Sequence, residues 1–486
     1  MPRFSDPGRR GSQTPGEPEY TKFKSRSRAA QWAPRVVLGT VLAVAVILIF
    51  GSGGFSSEAL KIGPSKPVRH SRLLHTVLLP PSANLPKPKV SIAQAASNAA
   101  QELAGSGDNS AIAWEPLSGA WGKRDAPPRG VRGWESPWWW QAALDFRAMI
   151  RYLEQTRDPA PVYQKIIEQT FNLNVRKPGS NMPMNFGNEF MDDTLWWGIA
   201  WLEAARYELG VRHNTSLAGR YLSVAEWDAT YAWRQPRPCG QQGIEWEKGF
   251  PPDTITNAEF VSLAGELAHT LEQRGPFQDR VAAKQWIARG WQIMFWLRYT
   301  HLINVHTGHV WNGYNSKCQK TGGALPYTVG ETAEAFVQMG LGAGLPSFFK
   351  VAQRFLEYGF SPYSKMLYHG VLQEPCETEG GRCVGEKRLA DSAAWKAMFV
   401  DAVADWQQAT GSTLYDQFLT QQAYAVIDHA ASNGNLLTSC QTPHDCQIGF
   451  YWAKPTPPGE STLPVGPGTQ ESGLASLTDA LGAFTG

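Results

Sequence analysis

The fold of this chain is decided by Met191-Asp-Asp-Thr-Leu-Trp-Trp-Gly-Ile-Ala-Trp-Leu-Glu-Ala-Ala205 (MDDTLWWGIAWLEAA). The stretch is apolar on nearly every side over three turns, and a helix of that kind is buried on most of its surface. Its polar exception is the pair Asp192 and Asp193 in the first turn. These two acids therefore belong at the mouth of a buried helical layer rather than in its middle.

The rest of the chain from Ser91 onward also predicts helices, because apolar residues recur at three and four positions between Gly, Pro and Asn clusters. Helices are predicted to begin near Ser91, Ser136, Pro161, Asp192, Ser216, Thr254, Pro276, Tyr327, Pro346, Ala390, Ser412 and Thr469. Asp192 itself is a candidate helix cap. Alternating β-branched runs are absent from the sequence, which disfavours Rossmann folds and TIM barrels. Twelve helices predict six hairpins closed into an all-α (α/α)6 barrel; an open solenoid is the alternative, but no fixed repeat supports it.

Composition limits the function. The 486 residues include 45 Lys+Arg and 43 Asp+Glu, a net charge of +2, which excludes nucleic-acid binding by bulk charge. With 42% hydrophobic and 18% charged residues, most of the chain is expected to fold. There are 20 tryptophans, and Trp32 alone precedes Trp114. Rings in such numbers either fill a core or line a groove that stacks sugars.

The N-terminal part predicts a membrane anchor. Residues 1–35 carry eight Lys/Arg against three acids, and residues 36–57 carry no formal charge. This pattern predicts a cytoplasmic basic tail, a transmembrane signal-anchor and an extracytoplasmic domain. A cleaved signal peptide, with a secreted product, is the alternative. Residues 58–90 are predicted to form a Pro-rich stalk, and residues 91–486 the catalytic domain.

The six cysteines agree with an oxidising compartment, although their pairing stays open at this point. Three candidate pairs stand out: Cys376 with Cys383, Cys440 with Cys446 and, over a longer range, Cys239 with Cys318.

The adjacent acids Asp192 and Asp193 have two interpretations. Helix beginnings favour acids for capping and dipole reasons. Two carboxyl groups about 5 Å apart also suit a retaining glycosidase, in which one is the nucleophile and the other the acid/base. The irregular loop before the pair and the tryptophans after it favour the second interpretation. Asp228 and Asp253 are further acids near the motifs: either is a candidate third catalytic carboxylate, and a cap is the default interpretation for both.

Four stretches in this order carry a family resemblance. MDDTLWWGIAWLEAA resembles the Asp-Asp motif of glycoside hydrolase family 76, the α-1,6-mannanases and their fungal wall-remodelling relatives. Residues Trp134 to Arg151 resemble the early tryptophan-led helix of that family. Cys239 to Leu267 resembles its Cys-Gly, Ile-x-Trp and Asn-x-Glu-Phe run, and Ala393 to Trp406 its Lys-x-x-Phe helix.

The resemblance implies an (α/α)6 fold and an endo-acting, retaining hydrolase of α-1,6-mannan or a related mannosyl polymer, with transglycosylation as a second outcome. Asp192 would be the nucleophile and Asp193 the acid/base. The implied sugar-binding residues are Trp139, Trp140, Trp196, Trp246, Asn257, Tyr327 and Phe399. We expect a polysaccharide or oligosaccharide substrate, no metal or cofactor, no nucleic acid and a monomer.

Departures from the family pattern leave the substrate open. Residues 327–330 read Tyr-Thr-Val-Gly where the family has a Tyr-Asn-Gln-Gly-like stretch, so two amides that bind sugar hydroxyls are lost. Acids also flank the ring in Glu245-Trp246-Glu247. The alternative function is therefore a non-catalytic glycan-binding or cell-wall protein on the same fold.

Overall fold

The part of the chain that can be described begins at the end of the predicted stalk. A computed structural model describes residues 77–105, 114–116, 118–121, 139–175, 185–237, 239, 242–378, 392–430, 447–454 and 466–483. The predicted tail and signal-anchor, residues 1–57, lie outside this part. Of the residues that were described, no helix has both the length and the apolar character that a membrane span requires.

Helices dominate these residues. The α-helices are α1 (Ile92–Ala104), α2 (Trp139–Thr156), α3 (Pro161–Asn174), α4 (Met191–Gly210), α5 (Thr215–Trp233), α6 (Thr254–Glu272), α7 (Arg280–Tyr299), α8 (Pro326–Ala343), α9 (Ser347–Phe360), α10 (Pro375–Thr378), α11 (Trp395–Thr410), α12 (Asp416–Ala425) and α13 (Pro467–Ala483). A π-helix, Val426–Ala430, continues α12.

Three short antiparallel hairpins accompany the helices. They are β1 (Trp114–Glu115) with β2 (Ala120–Trp121), β3 (Gly313–Tyr314) with β4 (Lys320–Thr321), and β5 (Leu367–Tyr368) with β6 (Val371–Leu372).

The helices form two layers. In the inner layer α2, α4, α6, α8, α11 and α13 each pack on the next, and α13 packs back on α2, which closes a six-membered ring. The helices α1, α3, α5, α7, α9 and α12 lie outside this ring, and α1 completes the last hairpin by packing on α13. The predicted (α/α)6 barrel is confirmed over the described residues.

Most described helices begin within two residues of the predicted position, and two begin four residues later. Ser91 Oγ caps α1 by accepting from Gln94 N at 3.1 Å. α7 begins at Arg280 rather than near Pro276, because Asp279 supplies the cap. α12 begins at Asp416 rather than near Ser412. The beginnings predicted at Ser136 and Ala390 lie outside the described residues.

All inner helices run in one direction, since an outer helix returns the chain between each of them. Their N-terminal ends therefore meet at one end of the barrel, which we call the mouth. The opposite end is called the floor. α4 is enclosed as predicted: Trp197 and Trp201 are fully buried. The Trp201 ring lies 4.6 Å from Phe146 and 4.8 Å from Tyr221, so it joins the two layers.

A disulfide ties two loops together. Cys239 and Cys318 are bonded, with Cα atoms 5.7 Å apart, which confirms the predicted long-range pair. Cys376 is also disulfide-bonded. Cys383, Cys440 and Cys446 lie outside the described residues.

The end of the predicted stalk contacts the barrel. Leu85 N donates to Gln421 Oε1 at 2.9 Å, and Gln417 Nε2 donates to Ser82 Oγ at 3.0 Å. Residues 77–88 have no regular secondary structure, yet they lie against α12. The described end of the stalk is thus attached to the domain rather than free of it.

Candidate active site

Two backbone hydrogen bonds at the mouth hold the segment that leads into Asp192 and Asp193. Phe190, and not Asp192 as predicted, occupies the cap of α4, so both acids lie in the first turn. Met191 N donates to Trp246 O at 2.7 Å, and Lys248 N donates to Glu189 O at 3.2 Å. The segment before α4 is therefore held against the loop that carries Trp246.

Each acid of the pair accepts a hydrogen bond from a neutral donor. Trp246 Nε1 donates to Asp192 Oδ2 at 2.8 Å. Asn188 Nδ2 donates to Asp193 Oδ2 at 2.5 Å. The second oxygen of Asp192, Oδ1, is buried and accepts from none of the described residues. One oxygen of Asp192 is thus anchored by Trp246, while the other is buried and has no described donor.

A third acid, Asp253, adds negative charge near the Asp192–Asp193 pair. Burial, the charge of Asp193 and the charge of Asp253 together raise the pKa of Asp192 well above its usual value. Asp253 caps α6, as its default interpretation predicted, by accepting from Thr256 N at 3.0 Å. Burial raises the pKa of Asp253 to about 6. The pKa values of both Asp192 and Asp253 are therefore raised at the mouth.

A fourth acid, Glu259, escaped the sequence analysis as a site residue. It lies on α6, is fully buried, and neither of its oxygens accepts from a described residue. Burial first, and then the charge of Asp192, raise the pKa of Glu259 well above its usual value. No separate signal in the sequence marked it, because α6 also carries the buried acid Glu266.

Aromatic rings, partly exposed except for the buried Trp395, lie at the same end of the barrel as the acids. The Trp246 ring lies 5.4 Å from Phe190 and 6.0 Å from Phe250, whose side chain is 48% exposed. Tyr327 stacks on Trp395 at 4.6 Å, and these rings begin the neighbouring inner helices α8 and α11. Such surfaces suit sugar rings. Phe250 and Trp395 were not among the predicted binding residues.

Comparison with known proteins decides the family. The sequence pattern of glycosyl hydrolase family 76 matches residues 108–479. The chain belongs to glycosyl hydrolase family 76. No curated protein matches it.

Solved structures of the same fold include family 76 enzymes. An inactive variant of the α-1,6-mannanase of Salegentibacter sp. HEL1_6, in complex with α-1,6-mannotriose, aligns with a TM-score of 0.57 at 16% identity, covering 80% of this chain and 99% of that one. Dfg5 of Chaetomium thermophilum, in complex with glucosamine, aligns with a TM-score of 0.55 at 20% identity, covering 71% and 81%. At these identities the likeness shows a shared fold.

Three of the residues predicted to bind sugar in this family 76 barrel lie in its core instead. Trp139 is 5% exposed, and its Nε1 donates to Phe186 O at 2.8 Å. Trp196 is 2% exposed. Phe399 is fully buried, with its ring 5.6 Å from Phe360 of the outer layer. Sequence spacing alone did not reveal that these three side chains are buried.

Asn257 is also placed differently from its predicted role. Its Oδ1 accepts from Ile244 N at 2.8 Å, and its Nδ2 donates to Ile244 O at 2.9 Å and to Asp253 O at 2.7 Å. The side chain is fully buried. Asn257 therefore fastens the loop that carries Trp246 to α6 rather than facing a ligand.

The remaining predicted residues lie at helix beginnings of the mouth. Trp140, in the first turn of α2, is half-buried. Tyr327 is half-buried, and its hydroxyl donates to Asn312 Oδ1 at 3.0 Å.

Asp228 is fully buried on the outer helix α5. Across the described residues, no group of three or more His, Cys, Asp or Glu side chains is arranged to hold a metal ion.

Proposed function

We propose that this chain is a retaining, endo-acting glycoside hydrolase of α-1,6-mannan or a related mannosyl polymer. The observation that carries the proposal is the adjacent pair Asp192 and Asp193 at the barrel mouth, each held by a neutral hydrogen-bond donor. The mannotriose bound to the Salegentibacter relative supports the choice of glycan.

The second oxygen of Asp192, which accepts no hydrogen bond from the described residues, suits it to act as the nucleophile. Trp246 holds Oδ2, so Oδ1 attacks the anomeric carbon as the glycosidic bond breaks. Asp193 gives its proton to the departing oxygen. It then takes a proton from water, whose oxygen displaces Asp192 from the anomeric carbon and restores both carboxyl groups. A sugar hydroxyl in place of that water gives transglycosylation.

Azide rescue tests the two roles. Asp192→Ala and Asp193→Ala are assayed with an aryl α-mannoside that carries a good leaving group, in the presence of azide. Asp192→Ala should give the inverted β-mannosyl azide, because azide replaces the nucleophile. Asp193→Ala should give the retained α-mannosyl azide through the glycosyl-enzyme. The opposite pattern would exchange the roles, and a β-configured first product from the unmodified enzyme would exclude retention.

We further propose that the domain is held outside the cytoplasm by residues 36–57. The charge bias of residues 1–35 supports this orientation, as does the Cys239–Cys318 disulfide, since disulfides persist in oxidising compartments. Extraction of membranes with alkaline carbonate should leave the full-length chain in the pellet. Recovery of a shortened chain in the medium would instead show cleavage and secretion.

A further inference from the structure

A groove of about 490 Å³ lies on the outer wall of the barrel near the floor. The loop before α3, one side of α3 from Pro161 to Asn172, and the end of α4 with the residues after it form the groove. Tyr207, which lines it, is fifteen residues along α4 from Asp192, a distance of about 20 Å along the helix axis. The groove is therefore separate from the acid pair.

Two residues that line this groove, Gln164 and Gln169, each carry a buried side-chain oxygen without a described donor. Gln164 Nε2 donates to Glu168 Oε1 and to Glu208 Oε1, both at 3.1 Å, and these two bonds fix the orientation of its amide. Its Oε1 and the Oε1 of Gln169 are buried, and no described residue donates to either. A buried acceptor without a donor costs stability. Both oxygens therefore suit a ligand that supplies O–H groups.

The charges around the groove balance. Asp158 and Glu168 are matched by Lys165 and Arg212. Asp158 is already engaged, since it accepts from Tyr152 Oη at 2.8 Å and from Ala160 N at 2.9 Å. A strongly charged ligand would meet groups of both signs, whereas a neutral polyhydroxylated ligand meets none that opposes it.

The shape also agrees with a short glycan. Sites for small ligands commonly have volumes of about 300–1,000 Å³. Pro159 and Pro161 line the groove and offer apolar rings to the C–H faces of a sugar. Amide oxygens beside apolar rings are the combination that neutral sugars require.

We propose that this groove is a second oligosaccharide-binding site, in which Gln164 and Gln169 accept hydroxyl hydrogens of a neutral glycan. The choice of a mannosyl glycan rests on the proposed function, and the site itself does not. Holding one polymer at the groove and at the mouth raises the effective concentration of substrate at the acids.

Calorimetric titration with α-1,6-mannotriose tests the proposal. The full-length chain carries Asp192→Asn so that the ligand is not consumed, and two binding sites are expected. Gln164→Leu combined with Gln169→Leu should weaken one site at least about tenfold, since two hydrogen bonds are lost. Trp246→Ala should weaken the other. The matched control is Gln285→Leu on the outer helix α7, which should change neither.

A second variant keeps the test decisive if the double variant fails to fold. Ala160→Trp fills the groove without touching either amide and should also abolish one site. A single site, lost in Trp246→Ala and unchanged in both groove variants, would overturn the proposal and leave the function intact. Binding at the groove alone would overturn the mannan-hydrolase function and keep the second site. Binding at neither would refute both.

Discussion

The inner ring of helices holds two groups of buried acids, and the two groups have different neighbours. Toward the floor, Arg147 contacts Glu203 at 2.9 Å and Asp401 at 3.0 Å, and Arg151 contacts Asp405 at 2.7 Å. We call these five residues the floor network. Arginine is suited to this position, because its fork of donors satisfies several carboxylates at once.

The acids of the mouth have a different environment. Trp246 supplies the hydrogen bond to Asp192, while neighbouring acids and burial raise its pKa. Nearby arginines have the reverse effect at the floor: although burial opposes them, Arg151 and Arg147 lower the pKa of Asp405 to about 2. At the floor, arginines therefore hold the pKa of Asp405 low, whereas at the mouth burial and neighbouring acids raise the pKa of Asp192.

The largest expected effect is on activity. Asp192→Asn should lower the rate of mannan hydrolysis by about 10⁴-fold, because the amide cannot form the covalent intermediate. The matched control is Asp228→Asn, which changes a buried acid of the outer layer. Initial rates of reducing-end release measure both variants. Similar losses of activity in the two variants would show that replacing any buried acid impairs folding. The result would then give no evidence that Asp192 has a catalytic role.

The next effect is on stability. Arg147→Met removes the shorter of the two arginine contacts that Glu203 and Asp401 each make, leaving those to Arg151 at 3.6 and 3.8 Å, and should lower the free energy of unfolding by about 3 kcal/mol. Arg280→Met is the control, since the Arg280–Glu272 pair is solvent-exposed and should contribute under about 1 kcal/mol. Urea unfolding followed by circular dichroism measures both. Equal losses would contradict a stabilising role for the floor network.

Stability should also depend on pH. Burial raises the pKa of Glu331 to about 7, so the folded state holds a proton that the unfolded state releases from about pH 4.5. The stabilisation from this proton is complete below about pH 4.5 and is lost as the pH rises through about 7. Asp405 has the opposite sign: its stabilisation is present above its usual pKa and is lost as the pH falls toward about 2.

Urea unfolding between pH 3 and pH 8 should therefore show greatest stability near pH 4–5. Glu331→Gln should reduce the fall in the free energy of unfolding between pH 5 and pH 7 by about 1–3 kcal/mol. Stability that rises steadily from pH 5 to pH 8 in the unmodified protein would count against a protonated interior.

The smallest effect concerns the indole at the mouth. Trp246→Phe removes the hydrogen bond that favours ionised Asp192, so the pKa of Asp192 should rise further. We expect kcat/KM to fall about tenfold, with its acid limb moved to higher pH. Trp311→Phe, at an exposed ring, should leave the profile unchanged. A lower rate without any shift of the acid limb would assign Trp246 to substrate stacking alone.

Prediction from sequence succeeded where a local signal has one meaning. The all-round apolar pattern after Asp193 placed α4 inside the barrel, and the polar first turn placed the acids at the mouth. The Cys239–Cys318 pair was one of several open choices and is confirmed.

Prediction failed where a residue type fits two roles. Asn257 and Phe399 occur in motifs that resemble sugar-binding runs, yet one fastens a loop and the other fills the space between the layers. A helix position separated by one residue turns by about 100°, so a small error in the assumed face moves a ring from groove to core. Glu259 was missed because only the packing of α6 on α4 brings its charge near Asp192.

The sequence by itself determined the helical layers, the acid pair and its place in a first turn, because hydrophobic period and cap chemistry act over a few neighbouring residues. Only the tertiary structure decided which acids lie at the mouth, where burial raises their pKa values, and which acids contact arginines. That outcome depends on contacts between helices far apart in the chain, such as Trp246 with Asp192 and Arg151 with Asp405. Burial and charge at those contacts, and not residue type, separate the acids that can do chemistry from those that hold the barrel together.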